Sequence, residues 1–138
     1  MRTLRILLAE DNRGDMLLVQ ESLREHQIMH DLHIVRNGQE ALDYIGRIGK
    51  TGEVPCPDLI LLDINLPKGD GSTVLGEIRR RPESAHVPVI VVTSSDSPKD
   101  KERMSRLGIS YYFRKPTVYE EFIQLGGIVK QVLERQEA

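Results

Sequence analysis

Four hydrophobic runs in this sequence each end on a polar residue suited to phosphate or metal chemistry. Leu4–Ala9 runs into Glu10-Asp11, Leu59–Leu62 into Asp63, and Val89–Val92 into Thr93-Ser94; Tyr111–Phe113 runs, one residue later, into Lys115-Pro116. Three carboxylates, a hydroxyl and an ammonium are therefore candidates for one site. Packing Glu10, Asp11 and Asp63 together is costly, since two like charges about 4 Å apart repel by roughly 4 kcal/mol at an effective dielectric near 20. A hard divalent cation offsets that repulsion, and oxygen ligands favour Mg²⁺, Ca²⁺ or Mn²⁺ over zinc. The chain has no EF-hand spacing, which leaves Mg²⁺ (or Mn²⁺) as the expected cofactor. Mg²⁺ uses one or two carboxylates and shares its remaining positions with water and phosphate oxygens. Lys115 supplies a second cation, and lysine is a point-charge binder of phosphate. Thr93 offers a hydroxyl donor, and Ser94 is small enough to leave an approach open. A carboxylate between a metal ion and an ammonium can attack a phosphoryl group. Catalysis is then positioning plus charge neutralisation.

The elements that must position these residues follow from periodicity. Short apolar runs alternating with helical segments read as buried parallel strands. Helix one is expected over about 13–25, where Met16, Leu18, Val19 and Leu23 fall on one broad stripe. Strand two is about Leu32–Val35. Asn37 with Glu40 three residues on is a capping box for helix two, which fades near Gly46. Gly49, Gly52, Pro55 and Pro57 mark a long loop. Asp70-Gly71 opens helix three. Ser97-Pro98 with Asp100 starts helix four, and Gly108 ends it. Thr117 with Glu120 is expected to cap a last helix that runs to about Arg135. Gly126-Gly127 inside that helix costs about 1 kcal/mol per glycine against alanine, which points to close helix–sheet packing, a kink or a dimer contact. Strand–helix alternation implies right-handed crossovers. The expected fold class is α/β: a doubly wound, five-stranded parallel sheet in order 2-1-3-4-5 with helices on both faces. In such sheets ligands bind outside the carboxyl ends of the strands, where Asp63 terminates the strand expected at the centre.

The bulk properties bound the rest. A chain of 138 residues is expected to be one domain, spanning 1–138 with no output domain. Net charge is −2, which argues against a nucleic-acid binder with a basic patch. The single cysteine, Cys56, excludes an intrachain disulfide framework. No apolar stretch is long enough to span a bilayer, and Glu10-Asp11 interrupts the N-terminal apolar run, so no membrane and a cytoplasmic location are expected.

The motifs Glu10-Asp11, Asp63, Thr93-Ser94, Tyr112 and Lys115-Pro116, in this order over essentially the whole chain, resemble the receiver domain of two-component response regulators. The loop Leu66–Gly71 fits the same family. That resemblance implies a flavodoxin-like receiver fold and a single-domain response regulator. It implies that Asp63 is the phosphoacceptor and takes its phosphoryl group from a sensor histidine kinase in a Mg²⁺-dependent reaction. Asp11 would be a direct metal ligand, Glu10 would act mostly through water, and Asn65 would lend its backbone carbonyl. Thr93 would contact the phosphoryl group, Lys115 would pair with it, and Tyr112 would be a rotating switch. Lys115-Pro116 would be a cis peptide. The face of helix four, strand five and helix five would meet a downstream protein or a second copy. More narrowly, the lengthened Arg47–Pro57 loop and the end Tyr119–Leu133 resemble stand-alone receivers paired with phytochrome-type sensor kinases. Leu17, outside the apolar stripe of helix one, is either a kinase contact or an ordinary exposed leucine.

Other readings weigh less. A small aspartyl-phosphate phosphohydrolase uses the same residue types but places a second aspartate two residues after the nucleophile, where this chain has Asn65. A flavodoxin-like cofactor binder is disfavoured because the loop Glu10–Gly14 is acidic and would repel a cofactor phosphate. Gly49-Lys50-Thr51 resembles the tail of a phosphate-binding loop, but Tyr44 stands where the first glycine belongs and a helix precedes it. His30 and His33 have no evident partner ligands and read as strand-edge residues; His26 and His86 carry no signal.

Overall fold

Residues 2–49 and 54–137 are described by a computed structural model. Lys50-Thr51 of the rejected phosphate-loop match, and Gly52 of the long loop, lie outside them. The elements are β1 (Leu4–Ala9), α1 (Arg13–Glu25), β2 (His30–Val35), α2 (Gly38–Arg47), β3 (Leu59–Leu62), α3 (Gly71–Arg80), β4 (Val89–Thr93), α4 (Pro98–Leu107), β5 (Tyr111–Arg114), α5 (Tyr119–Phe122) and α6 (Leu125–Glu137). The sheet runs β2-β1-β3-β4-β5, with every neighbouring pair parallel.

Both sheet faces are covered, which is why β3 and β4 are apolar at nearly every position. Leu7, Ile60, Leu62 and Val91 point toward α2, α3 and α4, into a core with Ile45, Leu75 and Met104. Ile6, Leu8, Leu61 and Val92 point the other way, against Val19 and Leu23 of α1 and Phe122, Leu125 and Val129 of the C-terminal helices. The register Ala9↔Leu62, Leu62↔Val91 and Thr93↔Arg114 brings the carboxyl ends of the strands to one edge.

The caps work as side-chain chemistry requires. Asn37 Oδ1 accepts from Glu40 N at 2.8 Å, while Glu40 Oε1 reaches back to Arg36 N at 2.9 Å, one residue earlier than a standard capping box. Asp70 caps α3 and Ser97 caps α4, with Pro98 in its first turn. Gly108 closes α4 at φ +105°, a conformation open to glycine.

Three expectations are corrected. β2 starts at His30, two residues before Leu32, because β1 pairs with it from Leu4 onward. The Lys115–Pro116 peptide is trans, as are all the described peptide bonds; trans is the lower-energy isomer by about 0.5–1 kcal/mol. The last helix is broken into α5 and α6, and Thr117 does not cap it: Val118 holds the cap position with no side-chain hydrogen bond. The break is satisfied from α1. The Ile123 carbonyl accepts Ser22 Oγ at 2.5 Å and lies 3.0 Å from His26 Nε2. Ser22 Oγ in turn accepts Gly126 N at 2.7 Å. The helices meet so closely there that a Cβ on Gly126 would lie 2.6 Å from the Ser22 carbonyl oxygen. Gly126 thus serves helix–helix contact, where helix–sheet packing was one of the expectations.

Gly126→Ala should therefore destabilise the protein by about 1–3 kcal/mol through overpacking. Gly76→Ala, whose added Cβ meets nothing within 4 Å, should stabilise it by roughly 0.5–1 kcal/mol. Urea midpoints of the two variants check both signs.

Candidate functional site

Glu10, Asp63 and Lys115 are each fastened by the backbone to the neighbouring strand. Glu10 N donates to Val35 O at 2.9 Å, Asp63 N to Ala9 O at 3.0 Å, and Lys115 N to Thr93 O at 2.7 Å. These ladder bonds continue the sheet one residue past the strands. They carry Glu10, Asp63, Thr93 and Lys115 to the same edge.

The side chains then converge as the sequence led one to expect. Oxygens of Glu10, Asp11 and Asp63 lie within 4.8 Å of one another. Lys115 Nζ donates to Asp63 Oδ2 at 2.9 Å and sits 2.8 Å from Glu10 Oε1. Asp63 Oδ1 accepts the Asn65 backbone N–H at 2.9 Å. Thr93 Oγ1 accepts Asn65 Nδ2 at 3.4 Å and Ser95 N at 3.3 Å, two long and weak bonds. Tyr112 OH donates to the Ser95 carbonyl at 2.9 Å, and the Lys101 ammonium stands 5.5 Å from the centre of the Tyr112 ring. Asp11, Asn65 and Ser94 are exposed at the mouth, whereas Glu10, Asp63 and Thr93 are buried.

Sequence reasoning missed two participants. Asp15, in the first turn of α1, accepts a hydrogen bond from Lys115 Nζ at 2.7 Å. Its signal was available: it is an acid in the first turn of the helix that follows Glu10-Asp11, three residues after the Asn12 cap. Ser95 joins Thr93 to Tyr112 through its backbone, which no side-chain pattern reveals.

Burial pushes the Glu10 carboxyl above its ordinary value, against the pull of Lys115 and of the Asn12 N–H. Burial also works against the Lys115 ammonium, but the carboxylates of Asp15, Glu10 and Asp63 around it outweigh that and raise the group well above the usual lysine range. Lys115 therefore stays charged at any physiological pH.

The residues fit a hard divalent cation. Glu10 Oε1 is buried, and the group facing it is the Lys115 ammonium, 2.8 Å away. Three carboxylates whose oxygens lie within 4.8 Å of one another are a donor set for Mg²⁺ or Mn²⁺.

Comparison with known proteins agrees with this geometry. The family model of the response regulator receiver domain matches residues 6–125. This chain belongs to that family. The receiver is 42% identical over 110 residues to the response regulator Rcp1 of Synechocystis sp., covering 80% of this chain and 75% of Rcp1. Its structure is similar to that of RcpA, a cyanobacterial phytochrome response regulator crystallised in phosphorylated form, with TM-score 0.87 and 36% identity over 97% of this chain and 96% of RcpA. The Mn²⁺-bound form of Rcp1 is similar at TM-score 0.84 and 38% identity, over 95% of each chain. The resemblance to response regulators of the phytochrome-associated type therefore stands. No helix among the described residues is long and apolar enough to cross a membrane.

Lys115→Met should leave the receiver's buried acids without their cation. In EDTA the variant should lose about 3–5 kcal/mol of stability. Mg²⁺ should raise its melting midpoint more than it raises that of the parent protein. Thermal unfolding with and without the ion measures both effects.

Proposed function

We propose that this receiver is a phosphorylation-activated signalling switch in which Asp63 takes a phosphoryl group from a phosphohistidine of a sensor kinase, of phytochrome type by likeness to RcpA. The observation that carries this reading is the position of Asp63, buried between an ammonium and two further carboxylates at the central strand's end. A divalent cation held by Glu10, Asp11 and Asp63, with the Asn65 carbonyl alongside, would neutralise phosphoryl oxygens and lessen the repulsion among the acids. Lys115 balances charge on the other side as the phosphorus–nitrogen bond breaks and the phosphorus–oxygen bond forms. Asn65 spends its amide on Thr93 Oγ1, an arrangement that supplies no general acid and so does not favour the phosphohydrolase alternative.

The acyl phosphate brings roughly two negative charges. Thr93 is only weakly held and can turn its hydroxyl toward them. Its bond from Ser95 N then breaks, and Ser95 is also what holds the Tyr112 hydroxyl. Tyr112 is released to fill the vacated space, and the face formed by α4, β5 and α5 rearranges. Reversing a 1:99 population takes about 5.5 kcal/mol of differential interaction. Two charge-assisted bonds at roughly 1.5–3 kcal/mol each supply that scale. The rearranged face would engage a downstream protein or a second copy of the chain.

Asp63→Asn should abolish phosphorylation by acetyl phosphate and Mg²⁺, read as the gain of one phosphoryl group in intact mass; a labelled variant would refute the assignment. Tyr112→Ala should label normally yet lose the amide chemical-shift changes over residues 98–107 that phosphorylation causes in the parent protein. Shift changes of undiminished size would remove Tyr112 from the relay.

A further inference from the structure

We propose that the free edge of β2 is an interface between two copies of this chain, which pair antiparallel about Leu32 and join their sheets into one. This does not rest on the reading of Asp63.

β2 is an outermost strand of the sheet and six residues long. The Leu4 N–H donates to Met29 O at 2.9 Å, and the Glu10 N–H to Val35 O at 2.9 Å. Backbone groups alternate in direction along a strand. Those of Asp31 and His33 therefore also face β1, and those of His30, Leu32 and Ile34 face outward. Such a row of open N–H and C=O groups is a template for another strand, and edges are commonly blunted by proline, lysine or a bulge. β2 has neither proline nor lysine, and its register with β1 is unbroken from His30 to Val35. The other edge, β5, has four residues and is followed by Lys115-Pro116.

The side chains choose the occupant and the register. Asp31 and His33 are exposed and two apart, so they share one face of the strand. That face is the α2 side, where the His33 ring lies 4.8 Å from the ring of Tyr44. Among the described residues, neither the Asp31 carboxylate nor the His33 imidazole has a hydrogen-bond or ion-pair partner. Arg5, beside Asp31 on β1, does not bridge to it. Consider a second copy turned about an axis through Leu32, perpendicular to the sheet. Leu32 then faces Leu32, and His30 faces Ile34, in pairs that exchange both backbone bonds with Cα atoms about 5.5 Å apart. Every outward N–H meets an outward C=O. Asp31 of each copy falls opposite His33 of the other, in the closer pairs at about 4.5 Å. Imidazole donates an N–H whether neutral or charged, and a carboxylate accepts it. Slipping the partner by two residues would set Asp31 against Asp31 or His33 against His33, and like charges directly opposite are destabilising. The strand is therefore complementary to itself in one antiparallel register.

Sedimentation equilibrium of the full chain should show a monomer–dimer equilibrium with a dissociation constant between about 1 μM and 1 mM, as suits a small interface. Asp31→Lys, at an exposed position, and His33→Asp, which sets acids opposite one another twice, should each raise that constant about tenfold. The exchange Asp31→His/His33→Asp restores the unlike pairs and should return it to within about threefold of wild type. Amide hydrogen exchange reads the register. His30, Leu32 and Ile34 should gain protection as concentration rises, whereas Asp31 and His33, already facing β1, should change little. A chain that stays monomeric up to about 1 mM would overturn the proposal. So would a dimer that all three variants leave unchanged, since its interface lies on another face, or a double exchange as weak as His33→Asp alone.

Discussion

One buried ammonium among carboxylates governs this molecule. Lys115 Nζ lies within 2.9 Å of oxygens from Glu10, Asp15 and Asp63, which arrive from the end of β1, the start of α1 and the end of β3. At an effective dielectric near 20, each close like-charge pair costs roughly 4 kcal/mol and each close opposite pair returns about as much. One cation cannot balance four acids once Asp11 is counted. The site therefore keeps a surplus of negative charge and an appetite for a divalent ion. The metal binding and phosphoryl capture proposed above would both draw on that imbalance.

The fold makes the imbalance tolerable. The acids are carried by backbone that is itself hydrogen-bonded into the sheet, so they cannot drift apart to relieve their repulsion. The apolar strands behind them are buried on both faces, and the stability of those two cores offsets the cost at the edge. Strain of this kind is often concentrated at functional sites, where the surroundings over-determine it. The phosphorylation proposed at Asp63 would act on a rigid frame, and the parts free to respond would be those held by long bonds. Thr93 Oγ1 is held at 3.3 and 3.4 Å, and the chain from Thr93 through Ser95 to Tyr112 leads outward to α4 and β5.

The opposite side of the receiver is built for constancy. Ser22, buried in α1, bonds both the Ile123 carbonyl and the Gly126 N–H, and so takes over polar groups that the interrupted C-terminal helix leaves unpaired. A buried polar side chain is acceptable only when its partners are complete, and here the completeness fixes how α6 docks on α1. Leu17 stands on the free face of α1, 65% exposed, and takes no part in either core.

The sequence alone determined the elements, the order in which polar residues end the strands, and the family, because buried parallel strands are written as apolar runs and their carboxyl ends must share one edge. Asn37, Asp70, Ser97 and Gly108 were equally legible, since capping depends on residues a few positions apart. Only the tertiary structure decided that Asp15 would share Lys115, that Ser95 would bridge Thr93 and Tyr112, and that Ser22 and His26 would meet the polar groups at the break in the last helix. Those contacts join residues distant in the chain, or pass through backbone groups that every residue carries, so no local pattern encodes them.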